Sequence, residues 1–330
     1  MKTQILKDKK EDIEKAGQII KDGGLVAFPT ETVYGLGADG LNPEAVKKVY
    51  KAKGRPSDNP MILHISHVEQ VYDIAKEVTS DHLKLMNAFW PGPMTVVMEC
   101  LDIVPKETTG GLSTVGIRLP KTDSARALIT ASETPIAAPS ANLSGKPSPT
   151  KASHVLDDLD GRIDAIIEGG ECQVGIESTV LTIKDGKVII LRPGLITPHD
   201  IEQVVDLEVE FDPALTEGVS KDFKPMAPGM KYKHYAPNGQ MIIFAGDEEN
   251  IKAEIKKKKA ELEAEGKSVG VIFFGSDNVD EAAHDLFDKL RQMDKDKIEY
   301  ILAGALDQDG LGFSVMNRML KSAGYNVVNV

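Results

Sequence analysis

The sequence predicts an α/β protein built from two domains. Three observations carry that expectation. Strand-like and helix-like stretches alternate over roughly the first 200 residues, the pattern of helices laid against a large sheet. The alternation stops after Leu191, and a proline-bounded segment without periodicity, APGMKYKHYAP at 227–237, follows. From Met241 onward a β-α-β-α-β-α order resumes, the signature of a small doubly wound parallel domain.

Taken in order, residues 12–21 read as a helix and 25–28 as a short apolar strand. Residues 43–53 read as a helix, since Asn42 is a good N-cap and Pro43 fits the first helical position. Residues 61–65 read as a strand and 68–88 as largely helical. Residues 94–98, 114–119, 136–138, 165–167, 178–183 and 188–191 are further apolar strands. Residues 206–226 are acidic, then mixed, with no clear core face. In the second domain, strands are expected at 241–244, 269–274 and 300–303, and helices around 251–262, at 279–293 and at 312–323. The expected domains are 1–205 and 240–330, with 206–239 as linker.

The chain has 330 residues, 41% hydrophobic and 27% charged, ordinary for a globular protein that is soluble. No apolar run approaches the about 20 residues of a membrane helix. The opening MKTQILKDKKEDIEKAG lacks an apolar signal core, so a cytoplasmic protein is expected. Cys100 and Cys172 have no metal-type spacing and read as buried small side chains. The formal charge of −12 argues against a broad nucleic-acid face but leaves room for a local cationic pocket. The Lys256–Lys259 run sits among glutamates and reads as a solvated helix face.

The densest segment is FPTETVYGLGADG, 28–40. It contains a literal G-x-G-x-x-G at Gly35, Gly37 and Gly40, with Asp58 as a candidate ribose partner. The dinucleotide reading fails on context, because six residues separate the strand from the first glycine. The hydroxyls Thr30 and Thr32 are better ligand candidates. In KAKGRPSDNP, 51–60, favourable charge at a helix end explains Lys51 and Lys53. Arg55 lies beyond Gly54 and before Pro56, where a fixed guanidinium suits forked contacts to phosphate. His64 ends the next strand. Ser140 and Asn142 follow the strand at 136–138, where open α/β sheets bind ligands. Thr114 and Arg118 lie along another strand, and a strand arginine needs an edge or an anion. GIESTV contributes Ser178 and Thr179, and LRPG contributes Arg192. There is no P-loop, H-E-x-x-H, G-x-S-x-G or kinase signature, so any ATP would be held by dispersed hydroxyls, amides and cations.

PTETVYGLG, AKGRPSDNP, PGPMT, TVGIR, APSANLSGKPSPT, GIESTV and LRPG, in this order, resemble the YrdC-like domain family of threonylcarbamoyl-AMP synthases. The linker and the Rossmann-like unit after it resemble the two-domain form of that family, with Ala227 where serine is common. The resemblance implies a twisted open mixed sheet with a deep cavity. It implies Thr32, His64, Arg118, Ser140 and Ser178 around L-threonine. Around ATP it implies Arg55, Asn59, Thr114, Asn142, Thr150 and Arg192, with His234 and Tyr235 as a lid. Lys53, Arg55, Ser140 and Asn142 are the expected catalytic group. The implied reaction joins L-threonine, bicarbonate and ATP into threonylcarbamoyl-AMP, with Mg²⁺ arriving on the ATP phosphates rather than on protein ligands. The product would pass to a transferase that modifies tRNA beside the anticodon, without strong tRNA binding by this chain. Relatives of the domain associated with double-stranded RNA leave a non-catalytic RNA-binding module as the competing reading.

Overall fold

The computed structural model describes residues 2–215, 234–275 and 278–330. These form two compact units. The first comprises 2–144, 149–173 and 177–215; the second takes the short stretches 145–148 and 174–176 together with the residues from 234 on.

The first unit is built on one mixed sheet of eleven strands among the described residues. From edge to edge they are Gln4–Lys7, Ala165–Glu168, Val26–Phe28, Gly35–Asp39, Ile136–Ala137, Ile62–His64, Thr114–Arg118, Met94–Glu99, Thr179–Lys184, Lys187–Arg192 and Glu208–Phe211. Parallel and antiparallel neighbours are mixed along it. Its central strands are buried on both faces, which is why they read as continuous apolar runs rather than alternating ones. The pleat still sorts their side chains. Val26 and Phe28 join a core with Ala16, Ile20, Leu128 and Ile129, from helices Lys10–Lys21 and Asp123–Ser132. Ala27 and Leu36 join the opposite core with Val46 and Val49 of helix Pro43–Lys53.

Several elements differ from the sequence reading. The span 68–88 is a 3₁₀ stretch, Val68–Asp73, and a separate helix, Ser80–Phe89, capped by Thr79. Glu208–Phe211 is an edge strand paired in parallel with Lys187–Ile190, so the first unit runs past residue 205. Its four-residue exposed/half-buried alternation is too short to stand out in sequence. Gly35–Asp39 is itself a strand, in keeping with the rejection of the dinucleotide reading, since its glycines do not form a phosphate-binding turn. A Cβ at Gly37 would lie 2.8 Å from Ile136 Cγ2 and 2.9 Å from Phe28 Cε1, and one at Gly40 would lie 2.3 Å from Leu63 Cδ2. These glycines serve strand packing.

The second unit carries four parallel strands in the order Val269–Ile272, Tyr300–Gly304, Gln240–Ala245, Val327–Asn329. Helix Glu248–Ala264 crosses toward one edge, while Val279–Lys295 and Leu311–Ser322 cross back. Right-handed crossovers therefore put the first helix on one face and the other two, which pack together, on the opposite face. This is the doubly wound domain that the sequence predicts.

Candidate active site

The site is assembled from loops at strand ends of the first unit. Helix Pro43–Lys53 starts at Asn42, whose side chain accepts from the N–H groups of Glu44 and Ala45, and it ends at Gly54 in the left-handed conformation (φ 63°). That cap turns the chain sharply into the 55–60 loop. The Arg55 guanidinium is then fixed by the loop's own carbonyls: Nε donates to Asn59 O (3.3 Å) and Nη2 to Pro60 O (2.9 Å). The Tyr50 hydroxyl lies between the carbonyls of Asn59 (3.1 Å) and Glu107 (2.8 Å), tying the same loop down from the helix. Asn59 is 2% exposed, and its Oδ1 has no hydrogen-bond partner among the described residues. Thr150 is fully buried, and its Oγ1 is likewise unsatisfied. Buried polar atoms are rarely left so unless a ligand or water completes them.

Lys53, also buried, donates through Nζ to the carbonyls of Ser140 and Asn142 (2.6 Å for the latter) and to Asn142 Oδ1 (3.4 Å). Three acceptors match the three protons of an ammonium. Lys53 was expected in the catalytic group; in the structure its ammonium clamps the 140–142 turn, which carries two other members of that group. Ser140 Oγ donates to Asn142 Oδ1 at 2.6 Å, so the two expected residues of that turn form one unit.

Thr32, His64, Arg118 and Glu31 are all buried in the same sheet region. His64 and Arg118 are side-by-side partners on parallel strands. The His64 ring lies edge-on to Phe28, with Nδ1 3.2 Å from Ile62 O. Burial first, then the Arg118 charge, pull its pKa down to about 3, so it is a neutral imidazole near neutral pH. Arg118 pairs with Glu31 (Nη2 to Oε1, 2.7 Å), both side chains being 5% exposed or less. The strand arginine does have its anion, as the sequence argument required, but that anion belongs to the protein. Glu31 was missed in sequence, although a strand arginine in need of an anion was the signal for it. Thr114, at the start of the Arg118 strand, is half-buried beside Glu99.

Ser178 is buried with its Oγ 2.8 Å from Thr95 Oγ1, and it receives two hydrogen bonds from Arg192. Thr95 was also missed; it stands in PGPMT, quoted as a motif and not as a site. His234 and Tyr235 belong to the second unit. There Tyr235 is 5% exposed and stacks on Phe287 at 5.1 Å, with the His234 ring 5.5 Å away. Lys231, Tyr232 and Lys233, which precede them in the linker, lie outside the described residues. Among the described residues, no group of three His, Cys, Asp or Glu side chains gathers as a metal centre would require.

Comparison with known proteins identifies the family of both domains. A family model described as Sua5_yciO_yrdC, telomere recombination, matches residues 18–194, and one described as threonylcarbamoyl-AMP synthase, C-terminal domain, matches 196–324. The threonylcarbamoyl-AMP synthase of Pyrococcus abyssi is 46% identical over 328 residues, covering 96% of each chain. That of Bacillus subtilis is 44% identical over 333 residues, covering 96% of this chain and 94% of its own. The crystal structure of P. abyssi Sua5 complexed with L-threonine superposes with a TM-score of 0.95 over the whole of both chains, at 44% identity. A mixed-sheet domain and a small parallel domain, matched over nearly their full length by threonylcarbamoyl-AMP synthases, define a nucleotidyltransferase-type enzyme. The chain belongs to the two-domain threonylcarbamoyl-AMP synthase family.

Proposed function

We propose that the chain condenses L-threonine, bicarbonate and ATP into threonylcarbamoyl-AMP and pyrophosphate, with each substrate held by the residue sets described above. Threonine's amine takes up carbon dioxide derived from bicarbonate to give a carbamate. A carbamate oxygen forms the new bond to the α-phosphorus of ATP, and the bond from that phosphorus to the bridging oxygen breaks, so pyrophosphate leaves with the electron pair. No protein nucleophile is needed, so catalysis rests on alignment and on compensating negative charge. Arg55, anchored through two of its nitrogens, supplies a pre-oriented cation. Ser140 and Asn142, shaped by Lys53, line the reacting centre. Asn59, Thr114, Thr150 and Arg192 hold the nucleotide, and Thr32, His64, Arg118 and Ser178 the amino acid. His64 reads the substrate hydroxyl as a neutral group. Mg²⁺ comes in with ATP as part of the substrate, keeping phosphate and water oxygens as ligands.

The observation that carries this reading is the pair of buried, unsatisfied atoms, Asn59 Oδ1 and Thr150 Oγ1, on loops expected to face ATP. The product is suited to a downstream transferase that modifies tRNA beside the anticodon. No helix among the described residues is long and apolar enough to cross a membrane, and a cytoplasmic setting is part of the same proposal. Pyrophosphate release tests it: the signal should vanish when threonine, bicarbonate, ATP or Mg²⁺ is left out. Undiminished release without threonine would instead describe a plain ATPase.

A further inference from the structure

We propose that Glu31 makes the amino-acid pocket a charge-matched cradle for a zwitterion, Arg118 meeting the α-carboxylate and Glu31 the α-ammonium. The proposal rests on the reading that this pocket takes L-threonine. Glu31 stands between Thr30 and Thr32, whose hydroxyls are 2.9 Å apart, and it is 3% exposed. Its Oε1 accepts from Arg118 Nη2 at 2.7 Å, and its Oε2 accepts from the backbone N–H of Lys121 at 2.9 Å. An ionised carboxylate has about four acceptor positions, so further positions stay open. Arg118 Nε donates to Gly92 O at 3.4 Å, while Nη1 has no hydrogen bond among the described residues. One buried unit thus offers an unused donor and unused acceptor positions.

The charge balance gives this arrangement its meaning. His64 is neutral, and burial raises the Cys172 thiol to about 12, so neither adds charge near neutral pH. A pocket meant only for a carboxylate would do better with Arg118 alone, because Glu31 cancels the attraction. A buried ion pair is also a poor source of stability when an apolar pair could replace it. The ligand that gains from both charges carries both charges itself.

The test is calorimetric binding to the full chain. The ligands are L-threonine, 3-hydroxybutanoate (the same carboxylate and hydroxyl, without the ammonium) and threoninol (no carboxylate). Wild type should bind threonine at least about tenfold more tightly than either analogue, the scale of one charge-assisted hydrogen bond. Glu31→Gln should cut the threonine to 3-hydroxybutanoate ratio by about tenfold, chiefly by losing threonine, whereas Glu31→Asp should hold that ratio within about threefold. An equal loss of both ligands in Glu31→Gln, or an unchanged ratio, overturns the proposal and leaves the threonine site standing. So does a ratio that collapses equally in Glu31→Asp. On the wild-type chain alone, 3-hydroxybutanoate binding as tightly as threonine overturns it, whatever the variants do. Wild type that binds no threonine overturns the substrate reading itself.

Discussion

Arg192 holds Ser178 at two points, Nε to the carbonyl and Nη2 to the hydroxyl, each at 3.1 Å. One residue is proposed beside the nucleotide and the other beside threonine, so in that proposal the contact links the two substrate sets. Ser178→Ala should therefore raise the KM for both threonine and ATP. It removes one hydrogen bond to a charged group, worth about 1.5–3 kcal/mol. Initial-rate kinetics with each substrate varied in turn checks this; a change confined to threonine would mean that Arg192 does not depend on the hydroxyl.

Arg55→Ala should lose about 2–4 kcal/mol of transition-state stabilisation, the range for a pre-oriented electrostatic donor. Arg55→Lys keeps the charge but not the fork held by Asn59 and Pro60, so it should recover only part of the loss. Turnover near wild type in a folded Arg55→Ala protein would reduce Arg55 to a helix-end charge.

His64 gives a pH prediction. Its folded pKa, about 3, lies below its ordinary value of 6.5, so between these values the unfolded chain binds more protons than the folded one. Stability therefore rises with pH across that window. The contribution is complete above about 6.5 and is lost as pH falls toward 3. Urea unfolding at several pH values should show a shallower slope in His64→Gln than in wild type. The kcat profile should carry no His64 inflection between pH 6 and 8.

A chain cut after Leu195 should be less stable than one cut after Leu215. The shorter form loses Glu208–Phe211, uncovers the edge Lys187–Arg192, and strips away Val209 and Phe211, which pack against the core. Exposed edges also promote association. Both forms should make pyrophosphate poorly, since each lacks the linker. Equal melting temperatures and solubility would show that the edge strand adds nothing.

Selectivity for threonine over serine should be modest, about 1–3 kcal/mol for one methyl group. Valine should be rejected far more strongly, because it would leave buried polar groups unpaired. Competing substrates in the pyrophosphate assay give both ratios, and valine used as well as serine would dissolve the assignment of Thr32, His64, Arg118, Ser140 and Ser178.

Much of this was legible in the chain itself. Apolar runs and the cap at Asn42–Pro43 set out the strands and helices, because strand periodicity and helix capping are local properties. The β-α repeat from Met241 marked out the doubly wound unit on the same ground. Seven motifs in register pointed to the family before any coordinate was known. The tertiary structure alone decided what those residues touch. It placed GLGAD in a strand between Val26–Phe28 and Ile136–Ala137, where Phe28 and Ile136 leave no room for a side chain at Gly37. It tied Lys53 to a turn 87 residues away in sequence. It also gave Arg118 a partner, Glu31, from a loop likewise 87 residues distant. Contacts at such separations leave no period in the sequence; they exist only once the sheet has set its strand order and brought the ends of distant strands together.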